Sequence, residues 1–288
     1  MALGILSTTA LDLRLMIISE LLMWCAGITF VGLTFLLLSA LLRNCRRLRE
    51  RLIQAQDCFS SYALVAALVV LAVRLLGARA GSLGLALWVV ATGMWGGISV
   101  LVVIGLRRRK APLHLISGGR WLLFIVATQS LAVLGAAVAS DLRSAAVGVT
   151  ALLLWSLGLL MYPAVGSLVV RRLHSRGLRA VDFTPDHWIL MGALAISTFA
   201  GTRLAESATR AGFASTGPAL SGMATVTWVL ATLLYVPFAA TSVRRWIGEP
   251  STRRYDAEWW SAIFPLGMYA ACSFELGTAL GHDQLNFV

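Results

Sequence analysis

Four ionisable residues lie inside stretches that are otherwise apolar: Arg74, Arg203, Glu206 and Glu275. At the centre of a bilayer such a group costs at least ~2.5–3.5 kcal/mol, so it marks either a solute path or a paired structural charge. Arg203 and Glu206 are one helical turn apart and can neutralise each other on one face. A structural pair and a pore charge are both open readings there. Glu275 has no basic neighbour in sequence and can meet Arg74 or Arg203 across helices. A different kind of candidate is Phe264, which precedes Pro265 in the run Trp259-Trp260-Ser261-Ala262-Ile263-Phe264-Pro265-Leu266-Gly267-Met268-Tyr269. Proline removes one backbone hydrogen bond and its ring presses on the preceding turn, so a kink is expected at Phe264. A large apolar ring projecting from a kink can plug a narrow lumen by dewetting, although packing is the ordinary role of a Phe in an apolar helix.

The remaining chemistry is sparse. Thr184-Pro185-Asp186-His187-Trp188 reads as a helix start, with Thr184 as N-cap, Pro185 at N1 and Asp186 at the positive dipole end. Catalysis by Asp186 and His187 is the weaker reading, because no Ser-His-Asp order, metal box or phosphate loop accompanies them. Cys25, Cys45, Cys58 and Cys272 form no C-x-x-C pair. His114, His174, His187 and His282 lie at or beyond the ends of apolar runs, not at membrane depth where paired haem ligands would sit. The sequence thus predicts no enzyme, no cofactor and no metal.

The elements that must position these residues follow from composition. The 288 residues are 58% hydrophobic and only 13% charged, with a mean hydropathy of +0.81. A soluble domain carries about 25% charged residues, so this chain has too few to coat its surface, and an all-α polytopic membrane protein is expected. Runs of spanning length occur at about 18–42, 57–77, 83–106, 118–139, 144–171, 186–206, 219–242 and 257–281. Met1 to Ala10 covers about half a bilayer, which makes nine segments in one transmembrane domain over residues 1–288. There is no basic stretch ahead of the first apolar run to mark a cleavable signal peptide. The net charge of +11 comes from 24 Lys and Arg against 13 Asp and Glu. Most of the basic residues fall in the clusters Arg43 to Arg51, Arg107 to Lys110, Arg171 to Arg179 and Arg244 to Arg254, each at the end of an apolar run. That is the pattern of cytoplasmic loops and anionic-lipid contact rather than of nucleic-acid binding. The connections Leu11 to Arg14, Gly77 to Leu83, Ser140 to Arg143 and Ser207 to Pro218 are expected outside.

The segments also repeat. The sixth holds Trp155, Tyr162, Pro163 and Arg171-Arg172, and the eighth holds Trp228, Tyr235, Pro237 and Arg244-Arg245, each followed by a Trp opening the next segment, Trp188 and Trp260. The fourth, with Trp88, Trp95 and Arg107, keeps the plan loosely. Hairpins repeated in one orientation are related by an axis along the membrane normal, so a ring of helical hairpins around a central pore is expected. Even segments are mostly Leu, Val, Ala and Trp. Odd segments carry Ser60-Ser61, Thr128-Gln129-Ser130, Ser197-Thr198, Gly201-Thr202, Gly267 and Ser273. Small and polar residues also serve helix packing. Their concentration on alternate segments favours a path lined by the odd ones, with Thr128, Gln129, Ser130, Ser197, Thr198, Thr202 and Gly267 along it and Arg74 and Arg203 as its cations.

Three stretches carry a resemblance: Trp121 to Gly135 (WLLFIVATQSLAVLG), Thr184 to Gly201 (TPDHWILMGALAISTFAG) and Trp260 to Tyr269 (WSAIFPLGMY). They resemble the tellurite-resistance/dicarboxylate transporter family, which also holds malate and sulfite exporters and the slow anion channels of plant guard cells. The likeness runs nearly end to end. It implies ten helices in five hairpins, a pore lined by odd helices, a Phe of the ninth helix occluding it and, commonly, a homotrimer. By the F-P-x-G match Phe264 is that Phe, with Pro265 behind it. A small anion or dicarboxylate passing the bacterial inner membrane is then the expected cargo, and the lipid bilayer the expected surroundings. Against the family norm the first helix is short and a tenth is absent, so a non-conducting remnant or scaffold subunit is the alternative expectation. The stretch Ser117-Gly118-Gly119-Arg120 stands where relatives often have Asn-Gly.

Overall fold

The computed structural model describes residues 1–52, 55–77, 81–107, 118–175, 183–210, 214–248 and 257–281. Much of each basic cluster lies outside the described residues or has undescribed side chains, as do Cys45, His114 and His282. Among the described residues nine helical segments follow the expected order. They are α1 (Ala2–Asp12), α2 (Met16–Leu52), α3 in two pieces (Ala55–Ser60 and Tyr62–Leu76), α4 (Gly81–Arg107), α5 (Leu123–Leu142), α6 (Ala145–Ser175), α7 (Ile189–Arg210), α8 (Gly217–Gly248) and α9 (Trp260–Ala279). Among the described residues no strand is present.

Length sorts the helices. The even helices α2, α4, α6 and α8 have 37, 27, 31 and 32 residues, whereas α5, α7 and α9 have 20, 22 and 20. At 1.5 Å per residue, 20 residues match a hydrocarbon core of about 30 Å, so the even helices overrun it and carry their Arg-rich ends beyond. α5, α7 and α9 each open with a 3₁₀ turn, Gly119–Leu122, Pro185–Trp188 and Ala257–Trp259, at that same basic end. At the far end the turns are tight. Gly77 caps α3 at φ +54°, a conformation that suits glycine, and Arg143 closes α5 in the left-handed region without one. The Gly81 N–H, first in α4, donates to the Asp141 carboxylate at 2.6 Å. α3 bends at Ser61, where Ser61 and Leu64 donate to carbonyls only three residues back.

The odd helices form the interior. The spans of α5 and α7 are 89% and 94% buried, while those of α2, α4, α6 and α8 are 6%, 17%, 28% and 17% buried. α3 packs on α5, α5 on α7, α7 on α9, α9 on α1 and α1 on α3, so five helices close a ring and each even helix packs on its odd neighbours from outside. Among the described residues seven segments are long and apolar enough to span a membrane by composition. α1, with 11 residues, is shorter, and α9 falls short although the sequence analysis counted 257–281 as a full span. The physical reason is place: a helix walled by other helices need not be soluble in lipid, and α9 can carry Ser261, Ser273 and Glu275. α9 runs as one helix through Pro265, whose ring lies against Gly192 of α7, where a Cβ would stand 2.9 Å from Pro265 Cβ and Cγ.

Candidate functional site

Among the described residues, three chambers are walled largely by the odd helices. The one at the basic end, about 690 Å³, is walled by Met1 and Leu3 of α1, Thr29 and Leu33 of α2, Ser60 and Ala63 of α3, Arg120 and Leu123 leading into α5, Ile189 of α7 and Glu258, Ser261 and Phe264 around the start of α9. The middle one, only about 30 Å³, draws on all five odd helices: Ile5, Thr8, Val69, Val70, Val73, Ser130, Val133, Ile196, Phe199, Met268 and Ala271. The third, about 220 Å³, shares Thr8, Val73 and Val133 with the middle chamber and opens at the far end among Asp12, Arg74, Ser140, Arg203, Glu206, Ser207 and Arg210. Phe264 is 1% exposed and belongs to the wide basic-end chamber, while Met268, one turn on, lines the narrow middle. Along α9 the lining passes from the wide chamber to the narrow one between Phe264 and Met268.

The far chamber holds every cation foreseen within the spans, and each is paired. Arg74, 11% exposed, donates to the Ser7 and Ser19 hydroxyls at 3.0 and 2.8 Å and meets Glu20 at 3.3 Å. Arg203 approaches Glu206 at 3.8 Å, as its spacing allowed, but its close partner is Glu275 of α9, at 2.9 and 3.1 Å. Its guanidinium also lies 5.3 Å from the centre of the Phe199 ring, above the middle chamber. Arg210 contacts Glu206 at 3.6 Å and donates to the Ser140 hydroxyl at 3.1 Å. Among the described residues the far-end connections bear Asp12, Arg14, Asp141, Arg143 and Arg210, two acids against three bases.

At the basic end Arg120 donates to Glu258 at 2.9 Å across the chamber mouth, both being about two-fifths exposed. Thr184 is an extended N-cap whose N–H donates to His187 Nδ1 at 3.1 Å, and its hydroxyl bonds Asp186. A Cβ on Gly119 would fall 2.1 Å from the Asp186 carbonyl oxygen. Only glycine lets the two turns touch, so Asp186 and His187 serve the capping role and seat the turn that carries Arg120.

Of the polar residues expected along the path, Ser130 alone reaches the middle chamber. The others meet neighbouring helices or their own backbone. Thr128 accepts the Trp95 indole N–H at 2.9 Å, Gln129 donates to the Trp155 carbonyl at 3.1 Å and Thr198 bonds Thr227 at 2.8 Å. Ser197 and Thr202 donate back to carbonyls of their own helix, those of Ala193 and Thr198. Gly267 packs on Ile5 and Leu6 of α1, and its carbonyl accepts from Thr9. The Trp repeat explains much of this. Trp88 donates to the Leu131 carbonyl at 2.9 Å, Trp155 to the Ser197 carbonyl at 2.9 Å and Trp228 to the Ser273 hydroxyl at 2.8 Å, each joining an even helix to the next odd one. Seven residues on, Trp95 bonds Thr128, Tyr162 donates to the Leu190 carbonyl at 3.1 Å and Tyr235 stacks on Tyr269. Gly135 and Gly201, four residues past the first two acceptors, receive the indole rings of Trp88 and Trp155. Trp24 of α2 is 64% exposed and makes no such staple.

The sequence analysis singled out neither Thr8 nor the far-end residues Asp12, Glu20 and Arg210. Arg210 carried a signal, since 203, 206 and 210 repeat at helical spacing on one face. Glu20 carried none, because its partner lies a helix away. Among the described residues no cluster of His, Cys, Asp and Glu could hold a metal ion.

A family model described as SLAC1, voltage-dependent anion channel, matches residues 1–288. Two relatives, both named uncharacterized membrane proteins, of Mycobacterium tuberculosis strains CDC 1551 and H37Rv, are 40% identical to the chain over 119 residues. The matched stretch is 41% of this chain and 60% of each relative, so the chain spans about 60% of the length of the curated relatives it matches.

Proposed function

The chain belongs to the voltage-dependent anion channel family, and from that membership we propose that it passes small anions or dicarboxylates across the bacterial inner membrane through the three chambers, with Phe264 as the gate. The observation that carries the reading is the middle chamber of only about 30 Å³, walled by all five odd helices, with Phe264 buried one turn before Met268 in its lining. A narrow apolar waist dewets and blocks ions, and Phe264 stands at its basic side with Pro265, packed on Gly192, next to it. In this reading the basic ends face the cytoplasm by the positive-inside rule. Anions gather at Arg120, pass when Phe264 swings aside and the waist behind it widens, and leave between Arg74, Arg203 and Arg210. Three copies, each with its own pore, are the proposed assembly, with lipid around the rest of the apolar even helices.

Reconstitution tests the gate. Anion efflux from liposomes holding Phe264→Ala is expected to exceed that of the unaltered protein by at least tenfold. An unchanged rate in folded, active protein removes Phe264 from the role. The alternative of a scaffold subunit predicts no efflux from either protein for any anion. Support for the conducting reading over that alternative is the continuity of the wall, in which α1 packs on both α3 and α9.

A further inference from the structure

Two acids approach Arg203, and they do so differently. Glu275 is 11% exposed and meets the guanidinium at 2.9 and 3.1 Å. It is the fixed partner. Glu206 is about one-third exposed and stands 3.8 Å from Arg203 and 3.6 Å from Arg210, beyond a good hydrogen bond on either side. Among the described residues it is the one carboxylate in contact with Arg210. All three side chains wall the far chamber, into which Asp12 also faces from α1 and Arg74 from α3. A carboxylate between two guanidiniums, close to both and bonded tightly to neither, has the geometry of a bound anion held on a tether.

We propose that the space between Arg203 and Arg210 is a carboxylate-binding subsite and that Glu206 is its resident competitor. A small carboxylate from solution takes the place of the Glu206 group, which turns outward into the water that already reaches it. Glu275 holds Nε and Nη2 of Arg203, which leaves Nη1, and Nη1 of Arg203 with Nη2 of Arg210 can each take one oxygen of a planar carboxylate better than they share a spherical halide. Ser140, already bonded to Arg210 at 3.1 Å, holds that side chain in place. Arg74 takes no part, because Ser7, Ser19 and Glu20 occupy it. The subsite rests on the permease reading for its place in transport, whereas binding itself needs no conduction.

Acetate binding to the full chain purified in detergent, followed by saturation-transfer NMR at constant ionic strength, tests this. Glu206→Gln removes the competitor's charge and keeps its shape, and its acetate affinity is expected to rise at least tenfold. Adding Arg210→Gln to Glu206→Gln is expected to abolish the gain, and equimolar chloride to displace little acetate. Equal affinities for unaltered protein and Glu206→Gln, or a gain that survives Arg210→Gln, would overturn the subsite. An efflux assay on the same preparations keeps the two ideas apart: tight acetate binding without efflux sinks the permease and leaves the subsite, and efflux without a change in affinity does the reverse.

Discussion

Gly201 offers the sharpest test of how the even and odd helices are joined. It lies under the Trp155 indole, where a Cβ would stand 2.9 Å from Cζ2, 3.3 Å from Cε2 and 3.2 Å from the Ala224 Cβ of α8. The ring cannot swing clear, because its N–H is bonded to the Ser197 carbonyl at 2.9 Å one turn earlier on the same helix as Gly201. Overpacking of this kind costs about 1–3 kcal/mol, and losing an interhelical hydrogen bond in a membrane adds roughly 0.6–1.7 kcal/mol. Gly201→Ala is therefore expected to destabilise the protein by about 2–4 kcal/mol. Gly222→Ala on α8, where nothing lies within 4 Å of a Cβ, is the control and should be neutral or gain up to about 1 kcal/mol of helix propensity. Denaturant unfolding in mixed micelles, followed by far-ultraviolet circular dichroism, measures both. In a Trp155→Phe background the smaller ring withdraws the clashing edge, so the double variant should be more stable than the sum of the singles by about 1 kcal/mol or more. A Gly201→Ala protein within about 0.5 kcal/mol of the original, or strict additivity in the cycle, would refute the staple.

Three further outcomes follow from the same geometry. Gly192→Ala drives a Cβ to 2.9 Å from the Pro265 ring and should raise basal anion efflux several-fold, and unchanged efflux would uncouple α7 from the gate. Glu275→Gln deprives Arg203 of its close partner. Because Arg203 is 39% exposed, the loss should be about 1–2 kcal/mol in a melting experiment, below the 3–5 kcal/mol of a fully buried pair. Arg120→Gln should raise the half-saturating anion concentration for entry at the basic end while leaving the maximal rate alone, and Glu258→Gln should lower it. An equal effect on entry at the far end would show that the Arg120–Glu258 pair is not a mouth.

The fold was legible because two signals agreed. The period of spanning runs gave the segments within a few residues except at the basic ends of α2 and α8, which run on to Leu52 and Gly248, and the Trp, Tyr-Pro and Arg repeat of the sixth and eighth segments pointed to hairpins around an axis. Both are local or periodic properties, and a helix expresses them directly. The lining of the lumen was less legible. Gln129 lies beside Ser130 in sequence, yet it faces Trp155 on α6 while Ser130 faces the middle chamber. Adjacent residues on a helix point about 100° apart, and the rotation of α5 is set by Trp88 and Trp95, which no run of hydropathy records. The same holds for the pairing of Arg203. Its neighbour Glu206 was visible at i+3, but the closer Glu275 depends on how α9 stands against α7.

In the proposed permease the waist also bears on what selects the anion. The hydroxyls of Thr8 and Ser130 are the polar groups of the middle chamber, and both donate back to their own helices, to the carbonyls of Gly4 and Val126 at 3.1 and 2.8 Å. Their protons are committed, so the closed waist offers an anion no donor to replace its water. A chamber of about 30 Å³ has room for little more than a water or two. An opening that only rotates Phe264 would thus expose a dry apolar passage in which an anion loses hydration without compensation. Conduction requires the waist to widen until water enters with the ion. A wet waist discriminates weakly among small anions, because neither size nor shape is then read there. Discrimination must fall to the mouths, where guanidiniums stand within reach of solute: Arg120 at the basic end and Arg203 with Arg210 at the far end.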